Sequence, residues 1–182
     1  MPSAIVVFAE GFEEIEAVTP ADILRRASVQ VELVGLNARE VTGAHGITIK
    51  MDRLLADREN VDAIILPGGM PGATNLAASE KLAKVLKAQD AAGRIIAAIC
   101  ASPGVVLGPR GVLDGKRATC YPGFEDGFPS TAEFVIENVV EHGKTITSRG
   151  PGTAFDFALA LTRALVGDAK ARQLGKSMLH LR

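Results

Sequence analysis

The sequence predicts a doubly wound α/β fold, with a mostly parallel central sheet layered between helices, in a single domain spanning residues 1–182. Short aliphatic and β-branched runs end at Gly, Pro or small residues, as strands do. Within them, Ile64-Ile65-Leu66 and Ile95-Ile96-Ala97-Ala98-Ile99 are apolar on successive residues rather than alternate ones, the pattern of strands covered on both faces. Helical patterns fall between the strands, so parallel neighbours are joined by right-handed crossovers and the ligand site is expected beyond the carboxyl ends of the strands.

The first strand runs from Ala4 to Ala9, and the segment Glu13 to Ala27 after it admits two helix starts. Thr19-Pro20-Ala21-Asp22 has the form of an N-cap, a first-turn proline and a capping acid. Alternatively the helix begins near Glu13 and bends at Pro20, which sets Glu13, Glu14 and Glu16 on its first turns, close to the end of the strand. Strands follow at Val31 to Leu36 and at Val61 to Leu66, the latter running into Pro67-Gly68-Gly69-Met70-Pro71-Gly72. The helix Glu80 to Ala92 places Leu82, Val85 and Leu86 near one face. Ile95 to Ile99 is a strand, and from Ala101 a helix starts with Pro103 in its first turn. A short strand ends at Cys120 and another spans Thr145 to Ser148. The helix Ala154 to Leu165 carries Phe157, Leu161 and Leu165 on one side, with Thr153 as a suitable N-cap.

Composition narrows the function. Of 182 residues 47% are apolar, and 20 Lys and Arg against 21 Asp and Glu leave a formal charge of -1, so nucleic-acid binding by bulk charge is disfavoured. No apolar run approaches the roughly 20 residues that cross a bilayer, and the N-terminus lacks the basic region of a signal peptide. Two cysteines without a CxxC and three scattered histidines exclude a disulfide scaffold and zinc-finger spacing. A soluble protein of the reducing cytoplasm, without a cofactor, is the expectation.

Cys100 carries the chemistry most readily. It follows a strand directly and precedes a helix, a turn that projects its side chain from the carboxyl edge of the sheet and sets the sulfur at a helix N-terminus, where thiols titrate at roughly 3.5 to 7.5. Cys120 reads as structural, although a partner for Cys100 in oxidation is an alternative. The Pro-Gly-Gly turn after Leu66 lies at the same edge and offers backbone N–H groups to an oxyanion, or is only a tight turn. Glu13, Glu14 and Glu16 form either a solvated first turn or a carboxyl beside Cys100, and the pattern does not say which acid approaches. Arg149 is a candidate for an anion or an intersubunit contact; His142 and His180 read as ordinary polar residues.

Ala9-Glu10-Gly11-Phe12-Glu13-Glu14-Ile15-Glu16, Leu66-Pro67-Gly68-Gly69, Ala97-Ala98-Ile99-Cys100-Ala101 and Ser148-Arg149-Gly150-Pro151-Gly152-Thr153 together resemble the DJ-1/ThiJ/PfpI superfamily, most closely its DJ-1 and bacterial ThiJ (YajL-like) branch. The resemblance covers essentially the whole chain. It implies a flavodoxin-like three-layer sandwich, a nucleophile-elbow cysteine and a homodimer. It places Cys100 as the reactive cysteine, Glu16 as its partner glutamate, and the backbone N–H groups of Gly69 and Ala101 in the oxyanion pocket. Arg26, His45 and Arg149 are candidates for pocket or dimer contacts. Members with a Cys-His arrangement carry a histidine after the cysteine or further along, where this chain has Ala101 and Tyr121, and Ser102 replaces a glycine common in the branch.

The activities the resemblance implies are glutathione-independent conversion of 2-oxoaldehydes such as methylglyoxal to hydroxy acids, and deglycation of protein and nucleotide adducts. A redox sensor or chaperone working through oxidation of Cys100 is the alternative, and both need the same thiol.

Overall fold

The computed structural model describes residues 1–180; the last two residues of the expected domain lie outside the described residues. In chain order the elements are β1 (Ser3–Phe8), α1 (Glu14–Arg26), β2 (Gln30–Gly35), β3 (Glu40–Thr42), β4 (Thr48–Lys50), β5 (Arg53–Leu54), β6 (Ala63–Leu66), α2 (Gly72–Ala77), α3 (Glu80–Ala91) and β7 (Ile95–Ile99). After a π-helical turn over Pro103–Leu107 come β8 (Arg117–Ala118), β9 (Glu133–Phe134), β10 (Val139–His142), β11 (Thr145–Ser148), α4 (Ala154–Val166) and α5 (Asp168–Ser177).

The sheet has seven strands in the order β10-β11-β7-β6-β1-β2-β5. All its pairings are parallel except β10 with β11. Its two faces divide the successive apolar residues of the strands between separate cores. Ala4, Val6 and Phe8 of β1, with Ile65 and Ala97, pack against Ala17, Ala21 and Leu24 of α1 and Phe157 and Leu161 of α4. Ile5 and Val7, with Ile64, Leu66, Ile96 and Ala98, pack against Leu76 of α2 and Leu82, Val85 and Leu86 of α3. Alternate strand residues point to opposite faces, so a run apolar at every position is what two helical layers require.

Each strand expected within this sheet exists, β7 and β11 with the expected bounds and the others with ends shifted by one or two residues. Of the two readings of the first helix, the longer is correct: α1 starts at Glu14, capped by the Glu13 carboxylate, which accepts from the Glu16 N–H at 2.8 Å, and Pro20 lies inside the helix. The helix expected from Ala101 is present as a short one, π-helical over Pro103–Leu107 with Pro103 in its first turn and the Gly108 N–H bonded to the Pro103 carbonyl five residues back. Two expectations are corrected. Cys120 lies beyond β8, which ends at Ala118. The Thr153 hydroxyl does not cap α4; it accepts from the N–H groups of Arg149 and Gly150, at 3.2 and 3.1 Å, and so closes the turn before the helix.

Candidate active site

Four strand ends converge on Cys100. β7 stops at Ile99, and Cys100 takes a φ of +65°, in the left-handed region that non-glycine residues rarely occupy. The surroundings hold it there. Its N–H donates to the Ser148 carbonyl at the end of β11 (3.0 Å), and its carbonyl accepts from the Tyr121 N–H (2.8 Å). Next to it the buried Ser102 hydroxyl donates to the Pro67 carbonyl (2.5 Å), tying the elbow to the loop after β6. The residue that departs from the glycine of the branch therefore adds a brace.

That loop and the start of α1 bring in the acid. The Glu13 N–H donates to the Gly68 carbonyl (2.9 Å), and the Gly68 N–H donates to Glu16 Oε2 (2.8 Å). Gly68 has no room for a side chain: a Cβ there would stand 2.5 Å from Cys100 Cβ, 2.7 Å from Glu16 Oε2 and 3.0 Å from Cys100 Sγ. Carboxyl and sulfur thus meet over a bare stretch of backbone, and Glu16 is fully buried. Its Oε1 is buried as well and has no hydrogen-bond partner.

Burial pushes the Glu16 carboxyl up to about 7, against the opposing pull of its contacts with Cys100 and Gly68. The Cys100 thiol is pushed up to about 12, first by burial and then by the charge of Glu16, while the N–H groups of Gly69 and Ala101 act the other way. A thiol depressed by a helix N-terminus is therefore not what the fold produces. With Glu16 charged, a second anion beside it in the same dry space is disfavoured. When the proton sits on Glu16 that repulsion vanishes, the carboxyl becomes a donor, and the two N–H groups remain directed at the sulfur. The acid and the thiol thus oppose one another's ionisation.

The other two acids of the first turn are also buried, so the solvated-face alternative fails for all three. Glu13 caps α1. Glu14 holds the β3–β4 hairpin, accepting from the His45 N–H (2.8 Å) and bonding His45 Nδ1 (2.8 Å), a contact that raises the proton affinity of this exposed ring. Glu13, Glu14 and His45 bring ligating atoms within 4.8 Å of one another, the geometry of a cation site, but both carboxylates already serve the backbone. Arg26 lies ten positions after Glu16 in α1, about 15 Å along its axis, and pairs with Asp22 at 2.9 Å, which places it away from the Cys100 pocket. Cys120 is fully buried, and burial first pushes its thiol up to about 12. His142 accepts from the Arg117 N–H and His180 pairs with Asp156, both remote in role from the cysteine.

Two contributors were not singled out by pattern. The N–H of Gly68 holds the acid, while that of Gly69 faces the sulfur, and Gly150 brings its backbone close to Glu16, with an ideal Cβ 3.9 Å from Oε1 and 3.1 Å from Tyr121 Cδ2. Both sit in glycine-rich turns at strand ends, which was the available signal.

The family model for the DJ-1/PfpI family matches residues 2–164. The chain belongs to the DJ-1/PfpI family. It is 39% identical to Protein dj-1beta of Drosophila melanogaster over 97% of this chain and 96% of that protein. It is 38% identical to the Glutathione-independent glyoxalase DJR-1.2 of Caenorhabditis elegans, covering 97% and 95% of the two chains. Oxidized DJ-1 of Toxoplasma gondii superposes with a TM-score of 0.95 at 38% identity over the whole of both chains. The flavodoxin-like sandwich and the DJ-1-type family assignment thus follow from fold and sequence together.

The raised carboxyl has a consequence for stability. Between about 4.5, the ordinary value, and about 7, the unfolded chain loses a proton that the folded chain keeps on Glu16, so this group's contribution falls as pH rises through that window. Glu16→Gln keeps an acceptor for the Gly68 N–H and removes the ionisation. It should raise stability relative to wild type by up to about 3 kcal/mol at pH 8 and by much less at pH 5. Urea unfolding at the two pH values checks this; an equal effect at both would show that Glu16 does not titrate anomalously.

Proposed function

We propose that the protein is a cysteine-dependent enzyme acting on 2-oxoaldehydes, with Cys100 as nucleophile, Glu16 as proton shuttle, and the Gly69 and Ala101 N–H groups as oxyanion donors. The observation that carries this reading is the buried Glu16 carboxyl beside the Cys100 sulfur, with one oxygen held by Gly68 and the other unpartnered. Such an acid can hand its proton to substrate and take another back without leaving its place.

The chemistry balances without an external oxidant. The sulfur adds to the aldehyde carbon, and the new alkoxide, stabilised by the two N–H groups, is protonated to a hemithioacetal. Glu16 as carboxylate removes the proton from that carbon and returns it to the adjacent one through an enediol, leaving a thioester. Water hydrolyses the thioester, releasing a 2-hydroxy acid and the free thiol, so the net change is addition of water. With an early adduct between the aldehyde and an amine, displacement of the amine by sulfur gives the same hemithioacetal, which is the deglycation variant. The name of the Caenorhabditis relative, a glutathione-independent glyoxalase, supports this class of reaction. Tyr121, standing where a histidine base is found in some members, leaves proton transfer to Glu16.

Cys100→Ser should abolish methylglyoxal consumption, because an alcohol gives up its proton far less readily than a thiol in the same site and is the weaker nucleophile, whereas Cys120→Ser should retain most of it. Lactate formation followed by chromatography decides the point, and equal loss in both variants would sink the assignment of the nucleophile.

A second reading, redox sensing, is favoured by the same unpartnered Glu16 oxygen, which suits a hydrogen bond to an oxygen added on the sulfur. Graded peroxide should convert Cys100 to a sulfinate before Cys120, which is fully buried. Mass spectrometry follows it, and an oxidised Cys100 in a protein whose reduced form turns over no aldehyde would favour sensing over catalysis.

A homodimer in the cytoplasm is part of the same proposal. Ile15 and Val18, one turn apart on α1, and Ile47 on the hairpin are 54%, 45% and 57% exposed, an apolar face on which a second copy can close. Light scattering at micromolar concentration should give twice the mass of one chain, and a monomer would refute it.

A further inference from the structure

Two successive peptide planes after β6 serve the acid and the sulfur in turn. In the first, Pro67–Gly68, the carbonyl accepts from the Ser102 hydroxyl (2.5 Å) and the N–H donates to Glu16 Oε2 (2.8 Å). In the second, Gly68–Gly69, the carbonyl accepts from the Glu13 N–H (2.9 Å) and the Gly69 N–H is directed at the Cys100 sulfur. A peptide unit is planar, so a donor that fixes its carbonyl also fixes the direction of its N–H. The same donor polarises the unit and strengthens the N–H in its own bond. Gly69 takes a φ of +87°, and a Cβ there would stand 2.4 Å from the Glu13 nitrogen, so the second plane lies close against the start of α1. Of these two clamps, the first is made by a side chain. Ser102 is fully buried just after the elbow, where a serine hydroxyl can bond its neighbouring backbone; this one reaches a carbonyl 35 residues away.

We propose that Ser102 is a positioning residue for Glu16: through the Pro67–Gly68 peptide its hydroxyl aims and polarises the N–H that holds the carboxyl, and so sets how readily Glu16 gives up its proton. Burial raises the proton affinity of this carboxyl, and the Gly68 N–H opposes that rise. Without the hydroxyl the buried Pro67 carbonyl loses its donor, the plane is free to turn, and the opposing contact weakens. The titratable groups around the carboxyl are Cys100 beyond β7 and Glu13 at the start of α1, and both remain when Ser102 is substituted. A glycine, common at this position in the branch, has no hydroxyl to offer, so the link belongs to chains with a serine here. Its consequence for turnover rests on the function proposed above; the link itself does not.

The test reads the proton rather than turnover. Rates of Cys100 alkylation by iodoacetamide are followed by mass spectrometry from acid to alkaline pH in wild type, Ser102→Ala, Ser102→Gly, Glu16→Gln and Ser102→Ala combined with Glu16→Gln. Cys120, fully buried, should stay unlabelled and so report an intact core; Ser102→Gly, the form common in the branch, decides the matter if Ser102→Ala labels there. In wild type the rate should inflect where Glu16 gives up its proton, at about 7, and Glu16→Gln should remove that inflection. Weakening of one hydrogen bond predicts that the inflection moves up by about half a pH unit, about a threefold rise in proton affinity, in both Ser102 variants. In the Glu16→Gln background Ser102→Ala should shift nothing. A wild-type profile without the inflection, or an inflection that stays in place in the Ser102 variants while only the rate changes, overturns the link. A shift of the same size in the Glu16→Gln background also overturns it, because the hydroxyl would then act on the sulfur directly. A shift that depends on Glu16 in a protein without methylglyoxal turnover would uphold the link and sink the proposed reaction.

Discussion

The contact on which the rest of the site depends is the burial of the Glu16 carboxyl against Cys100, with the Gly68 N–H holding its Oε2. A carboxyl in that position resists ionisation, and a thiol beside it resists ionisation once the carboxyl has given up its proton. Several features of the chain serve this arrangement. Glu13 caps α1 on the Glu16 N–H and anchors the same turn to Gly68 through its own N–H, so the acid and the loop that receives it are fixed together. Pro20, inside α1, has no N–H to offer the Glu16 carbonyl four residues earlier, which marks the first turns as locally weak in helix bonding and dependent on those anchors. Gly68 leaves the space in which carboxyl and sulfur meet.

The elbow is the other half of the arrangement, and its strain is met by tertiary bonds rather than by local propensity. The positive φ of Cys100 is disfavoured for any residue with a Cβ, typically by 1–3 kcal/mol. It is held through β11, through Tyr121 and through Ser102 bonded to Pro67. These partners come from separate parts of the chain, and the two apolar cores fix where each strand ends. The short π-helical turn that follows directs less dipole at the sulfur than an uninterrupted α-helix would. The proton balance at Cys100 is therefore set by burial, a neighbouring acid and two backbone N–H groups.

Much of this was legible in the sequence because it depends on short-range regularities. Apolar residues at every strand position announce a sheet covered on both faces, helical spacing marks α3 and α4, and a cysteine directly after a strand with a proline soon after it marks an elbow. Four separated motifs supported the family resemblance and, with it, Glu16. Residue pattern alone left three adjacent acids equivalent, since each stands on the same turn. Only the tertiary structure gives them different tasks: Glu13 to the helix end, Glu14 to the hairpin, Glu16 to the sulfur. The short β3–β4 pair, β9, α2 and α5 were not legible either, being too brief or too polar for periodicity to resolve. Proton affinity at Cys100 also lay beyond the sequence. Desolvation and the charge of a residue 84 positions away act through space, and local pattern registers only the neighbouring turn, whose influence here is the weaker one.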